Sequence, residues 1–171
     1  MVRKSLQLAL IHAAVAMTLV PINSTLNRVM IKELAASATL VAILASLPYL
    51  FSPAQVMIGS YSDRHPLFTR RRTGYIAIGL LLCVAGVVLA PRAVFLMPEN
   101  RGLGILLGLL AFGAWGMGYN FASVSYLSLA SELAGERGRS RTIAIMMFVM
   151  VVFIILTSIG LSRLIEPYSP E

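Results

Sequence analysis

Leu103-Gly-Ile-Leu-Leu-Gly-Leu-Leu-Ala-Phe-Gly-Ala-Trp115-Gly-Met-Gly-Tyr-Asn120-Phe-Ala-Ser-Val-Ser-Tyr-Leu-Ser-Leu129 is a run of 27 residues without one charged side chain. A helix needs about 20 apolar residues to cross the hydrocarbon core of a bilayer. The run is long enough, and its glycines and alanines recur at three- and four-residue steps rather than alternating. A strand of a membrane barrel would alternate lipid-facing and lumen-facing residues with period two. The stretch therefore reads as a membrane-spanning helix, and the rest of the chain follows its pattern.

Working outward, four more segments are long and apolar enough to span. The expected helices are about 6–26, 34–58, 75–97, 103–129 and 142–161, with charged or turn-forming connectors at 27–33, 59–74, 91–101 and 131–141. The whole 171-residue chain is 58% hydrophobic and only 12% charged, against about 25% charged in soluble domains. Too few charges remain to wet a globule. The fold class expected is an all-α membrane protein, one polytopic bundle of about five transmembrane helices over 1–171, with the lipid bilayer as its solvent.

The net charge of +7 does not indicate nucleic acid, because the basic residues sit between the apolar runs. Nine lie at the N-terminus and in the second and fourth connectors: Arg3, Lys4, Arg64, Arg70, Arg71, Arg72, Arg137, Arg139 and Arg141. Five lie on the other side: Arg28, Lys32, Arg92, Arg101 and Arg163. That excess predicts a cytoplasmic N-terminus. Moving each arginine of the 70–72 cluster through lipid would cost about 2.5–3.5 kcal/mol. Arg3-Lys4 before a long apolar stretch predicts a signal-anchor helix rather than a cleaved signal peptide.

Several chemistries are disfavoured. The single Cys83 excludes an intrachain disulfide. His12 and His65 lack a Cys or carboxylate at ligand spacing, so no metal site is expected. There is no Walker loop, no GxSxG elbow and no HExxH pair, and no enzyme activity is expected. No carboxylate lies at the middle of a predicted span, which weakens an ion-coupled carrier reading.

Helices in lipid approach one another closely where side chains are small. Stripes of that kind occur at Ala35, Ala38, Ala42 and Ala45; at Gly79, Cys83, Gly86 and Ala90; and at Gly104, Gly108, Ala111, Gly118, Ala122 and Ser125. They predict a tightly packed bundle. On the first helix His12, Asn23 and Asn27 fall on one face, a polar stripe that points to a bundle interior or a cavity. Pro21 breaks the backbone ladder beside Asn23. His12 as a pigment or proton site stands against His12 simply hydrogen-bonded to a neighbour, and the second is the simpler reading. Pro48 and Pro53 imply a kink that, with Gln55 and Gly59, shapes one end of a cavity. Trp115, Tyr119 and Asn120 add an aromatic face and an amide among glycines, serving either a flat ligand or packing. The candidate cavity residues are thus His12, Asn23, Asn27, Trp115 and Asn120.

The connector Gly59-Ser-Tyr-Ser-Asp63-Arg64-His65-Pro-Leu-Phe-Thr-Arg70-Arg71-Arg72-Thr-Gly-Tyr75 combines a glycine, an acid and a basic cluster. Gly59, Asp63, Arg64, Arg70, Arg71 and Arg72 are candidates for a conformational latch, with Asp63 capping a helix start or pairing with an arginine; alternatively the arginines only fix topology. Glu132, Arg137, Arg139 and Arg141 form a second charged group in the fourth connector.

The second connector, at 59–74, resembles the loop between helices 2 and 3 of the major facilitator superfamily. Asp63-Arg64-His65-Pro66-Leu67-Phe68 followed by Arg70-Arg71-Arg72-Thr73 resembles one branch, the PucC-type or bacteriochlorophyll-delivery family. Leu26-Asn27-Arg28-Val29-Met30-Ile31, Ala111-Phe112-Gly113-Ala114-Trp115-Gly116-Met117-Gly118, Ser128-Leu129-Ala130-Ser131-Glu132-Leu133 and Gly138-Arg139-Ser140-Arg141-Thr142 agree with it. The resemblance implies a twelve-helix fold of which this chain is an incomplete N-terminal half. It also implies a role in light-harvesting complex assembly, with (bacterio)chlorophyll as cargo and light-harvesting apoproteins as partners. A missing C-terminal half or partner chain is then expected. A small-solute carrier and a structural or nonfunctional subunit remain the alternatives.

Overall fold

The computed structural model describes residues 2–65 and 72–165. Every regular element among them is helical. Helix α1 (Val2–Met17) is continued by two π-helical segments, Pro21–Leu26 and Val29–Glu33. Helices α2 (Ala38–Leu50) and α3 (Ala54–Arg64) form one interrupted span, α4 is Thr73–Leu96, and α5 is Arg101–Ile165. Stretches long and apolar enough to cross a membrane are Leu6–Glu33, Ala38–Ser62, Thr73–Leu96 and Arg101–Leu164. The chain is an all-α membrane bundle.

At about 1.5 Å per residue, the 65 residues of α5 would extend about 97 Å, three times the hydrocarbon thickness. Gly135 resolves this. Its φ of 63° and ψ of 176° are not helical and belong to a region that essentially only glycine occupies. The chain turns back there. The His12 ring lies 4.9 Å from that of Tyr126, and its Nε2 lies 2.7 Å from Met150 Sδ. In a straight helix Tyr126 and Met150 would be about 36 Å apart. Alpha 5 is therefore a helical hairpin with a first arm at 101–134 and a second at 136–165. The expected connector at 131–141 is helical apart from this one residue, since Glu132, Leu133, Ala134, Glu136 and Arg137 continue the helix on either side.

The connector expected at 27–33 is also helical. Leu34 N–H bonds to Val29 O five residues back, at 3.1 Å. The true turn is at 34–37, where Ala35 takes a left-handed φ of 48° and the Ser37 side chain caps α2 by accepting from Leu40 N–H at 3.3 Å. Asn100 Oδ1 similarly accepts from Leu103 N–H and caps α5.

The centre of the bundle is the crossing of α4 with the first arm of α5. Gly79, Cys83, Gly86 and Ala90 are all buried. A Cβ on Gly79 would sit 2.5 Å from Ala122 N, and one on Gly118 would sit 2.6 Å from Cys83 N and Gly79 O. These obstacles are backbone atoms that no rotamer change can move. Contact this close yields dispersion attraction in a solvent where hydrophobicity drives nothing between helices.

The alanine stripe of α2 behaves differently. Ala38 and Ala42 are exposed and Ala35 is in the turn, while Val41, Leu44 and Pro48 are buried. Here the glycines belong to the partner helix: Leu44 lies against Gly108, and Pro48 Cα is 2.9 Å from where a Gly116 Cβ would stand. Small residues on one side suffice, so Ala38 and Ala42 face outward, while Ala45 is half-buried beside Pro48.

Two substitutions test this architecture. Gly79→Ala should lower unfolding free energy by about 1–3 kcal/mol through overpacking against backbone. Gly135→Ala should cost a similar amount, about 1–3 kcal/mol, through backbone strain. Gly138→Ala, whose Cβ would meet only Ala134 Cβ at 3.7 Å, should be neutral or stabilising. Denaturant titration in mixed micelles, followed by circular dichroism, reads all three.

Candidate functional site

Two prolines create the site. Pro48 lacks the N–H that would bond to Leu44 O, and Pro53 lacks the one that would serve Tyr49 O. The ladder between α2 and α3 tightens to bonds three residues apart: Ser52 N–H to Tyr49 O at 3.1 Å, Ala54 N–H to Phe51 O and Gln55 N–H to Ser52 O, both at 3.0 Å. Ser52 N–H is thereby diverted from Pro48 O, its ordinary helical acceptor. In lipid an unpaired carbonyl is expensive and must be satisfied internally.

Asn120 supplies the missing donor. Its Nδ2 donates to Pro48 O at 3.0 Å and to Gly116 O, one turn back on its own helix, at 2.9 Å. Its Oδ1 accepts from Gln55 Nε2 on the far side of the break. The amide is 1% exposed, so its hydrogen-bonding capacity is directed to the broken helix. Gly116 lets Pro48 come near enough for this bond to form.

Beside this joint is a cavity of about 200 Å³, bounded by Asn23, Pro48, Gln55, Trp115, Tyr119 and Asn120. The indole of Trp115 is buried, and its Nε1–H donates to Thr18 Oγ1 at 3.0 Å. Thr18 in turn donates to Val15 O at 2.6 Å, where α1 ends. Trp115 thus ties the first helix to α5. Asn23 is exposed and, among the described residues, has no hydrogen-bond partner, leaving its amide available to a ligand. The lining is uncharged and mainly apolar, with amide and hydroxyl groups set among apolar side chains.

The sequence-predicted residues divide between several places. Asn23, Trp115 and Asn120 meet at this cavity, with Gln55 as a fourth member. His12 and Asn27 do not line it. The π-helical turns after Met17 shift the face presented by successive residues, so His12 no longer shares a stripe with Asn23 and Asn27. His12 is buried between Tyr126 and Met150. Asn27 Oδ1 is buried without a hydrogen-bond partner among the described residues. Tyr119, expected beside Trp115 and Asn120, lines the cavity as well; Thr18 is not among the expected residues, and its only signal is its place just before Pro21.

The charged connectors meet at one end of the bundle. Arg72 is mostly buried, and its Nη2 donates to Glu132 Oε1 at 2.6 Å. This joins the start of α4 to the first arm of α5 just before the hairpin turn. Asp63 lies in the last turn of α3 rather than at a helix start, and its side chain lies outside the described residues. Arg64 ends that helix and is exposed. Gly59 sits within α3, where an added Cβ would lie 3.4 Å from Val124. Arg137, Arg139 and Arg141 are exposed on the second arm. Arg70 and Arg71 lie outside the described residues.

Glu132 is 56% exposed on its side chain, so the pair contributes about 1 kcal/mol or less. Arg72→Glu should destabilise the chain by placing two acids together, and adding Glu132→Arg should recover most of the loss; a double-mutant cycle by micellar unfolding measures this. Trp115 is the sole tryptophan, so fluorescence reports on the cavity alone. Its emission should be blue and poorly quenched by iodide, and Thr18→Val should shift the maximum.

Comparison with known proteins identifies the family. The family described as PUCC protein matches residues 25–171. Protein PucC of Cereibacter sphaeroides is 35% identical over 97% of this chain, and Protein PucC of Rhodobacter capsulatus is 30% identical over 96%. The bacteriochlorophyll synthase 44.5 kDa chain of Rhodobacter capsulatus is 31% identical over 96%. The chain spans 38% of the length of each of these relatives. No solved structure matches. On the extent of the family match, the chain belongs to the PucC family.

Proposed function

We propose that the chain forms part of a PucC-type membrane protein that handles (bacterio)chlorophyll during assembly of light-harvesting complexes, without itself catalysing a reaction. The observation that carries this reading is the similarity to PucC proteins along almost the whole chain. A relative named as a bacteriochlorophyll synthase chain supports the link to that pigment. The cavity agrees with a neutral ligand, since its uncharged lining leaves the Asn23 amide to hydrogen-bond without an ion's desolvation penalty.

Its size sets a limit. About 200 Å³ is below the roughly 300–1,000 Å³ of sites that enclose a drug-sized ligand. A tetrapyrrole would place only an edge or a polar substituent against Asn23 and Tyr119, and its remaining surface would be covered by the further length that the relatives possess. The distribution of basic residues supports an N-terminus in the cytoplasm, which puts the Arg72–Glu132 contact on the same side. Light-harvesting apoproteins are the proposed recipients.

The test is purification of the full-length protein carrying this segment from pigmented cells. Near-infrared absorbance should show bound bacteriochlorophyll, and Asn23→Phe, which fills the cavity, should lower pigment per protein several-fold while monodispersity is kept. A pigment-free native preparation, or a variant that retains full pigment, contradicts the proposal.

A further inference from the structure

A second and larger space lies away from the cavity, where the end of α3 meets the start of α4. It measures about 500 Å³ and is bounded by Ile58, Tyr61, Arg64, His65, Tyr75 and Phe121. Ring contacts line its walls. Tyr61 and His65 stack with ring centres 4.3 Å apart and planes 17° apart, and Tyr75 and Phe121 lie within 12° of parallel. Tyr75 donates its hydroxyl proton to His65 O at 2.9 Å, fixing α3 against α4.

The two ends of this space differ in chemistry. Ile58 and Tyr75 are buried and form an apolar floor with Phe121, while Arg64 and His65 stand exposed at the rim. Arg64 makes no ion pair among the described residues, and no carboxylate among them lines the space. The rim lies at the end of the spans that carries the arginine-rich connector, the level at which lipid headgroups sit. Aromatic side chains concentrate at that level, and basic pockets between spanning helices bind anionic headgroups. An opening with apolar walls in contact with lipid fills with an acyl chain, since water finds no partners there.

We infer that this space is a binding site for an anionic phospholipid, with its phosphate at Arg64 and an acyl chain along Ile58, Tyr75 and Phe121. A zwitterionic lipid has the same chains but carries a cation that opposes Arg64, so charge decides between them. The inference is independent of the pigment reading, because the two cavities share no residue.

Native mass spectrometry of the purified chain, with phosphatidylglycerol or phosphatidylcholine of matched acyl chains, tests it. The native chain should retain phosphatidylglycerol about fivefold better, the size of one cation–headgroup contact. Arg64→Gln should abolish that preference and Arg64→Lys should keep it. Ser60 also lines the space, so Ser60→Phe, crowding it with Arg64 intact, should lower retention of both lipids. Glycerol phosphate at equal concentration should displace neither. Equal retention of the two lipids by the native chain, an undiminished preference in Arg64→Gln, or displacement by glycerol phosphate would overturn the inference. Should Arg64→Gln not fold, the Arg64→Lys and Ser60→Phe results decide.

Discussion

The hydrogen bond from Asn120 to Pro48 O is the contact on which the arrangement of this bundle depends. Two prolines within six residues disrupt the second span, and hydrocarbon supplies no water to the carbonyls they release. A single buried amide mends the interruption from a neighbouring helix, holding Pro48 and Gln55 on either side of it. The break is therefore a fixed joint rather than a loose hinge. The cavity exists because the joint leaves the two half-spans bent around Asn120 and Trp115.

That amide must be delivered to the right place, and the glycine seam does this. Gly79 and Gly118 let the backbones of α4 and α5 touch, while Gly116, two residues from Gly118, and Gly108, nearly three turns toward the start of α5, admit Pro48 and Leu44. One helix thus presents different glycine sets to two neighbours. The Trp115–Thr18 bond then fastens the first helix to the same element. The hairpin at Gly135 returns the second arm to α1 through Met150. All but the last of these contacts fix an element against the first arm of α5, which is the hub of the chain.

Much of this hub is legible in the sequence. The apolar runs and the three- and four-residue spacing of Gly79, Cys83, Gly86 and Ala90 report membrane helices and their contact face directly. Asn23, Trp115 and Asn120 are legible as a group because polar and aromatic side chains among small residues need a reason to be there. Other features mislead for physical reasons. Charged residues at 27–33 and 131–141 suggest loops, although helices extend past the hydrocarbon into a region where charge is welcome. The alanines of α2 suggest a contact face, although glycines on the opposing helix had already made the room. His12 falls out of register with Asn23 because π-helical turns intervene. The Arg72–Glu132 pair joins residues 60 positions apart, a separation at which a sequence carries no local signal.

A thermodynamic coupling cycle between Asn120→Leu and Pro53→Ala, read by unfolding in mixed micelles, tests the role of the joint most directly. With proline at 53, losing the amide leaves Pro48 O and Gln55 unpaired and should cost about 1–3 kcal/mol. With alanine at 53, a regular ladder can re-form and Ser52 N–H can return to Pro48 O, so the loss should be smaller by at least about 0.5 kcal/mol. Strictly additive effects would show that Asn120 does not mend the proline break, and the account of the cavity built on that bond would be contradicted.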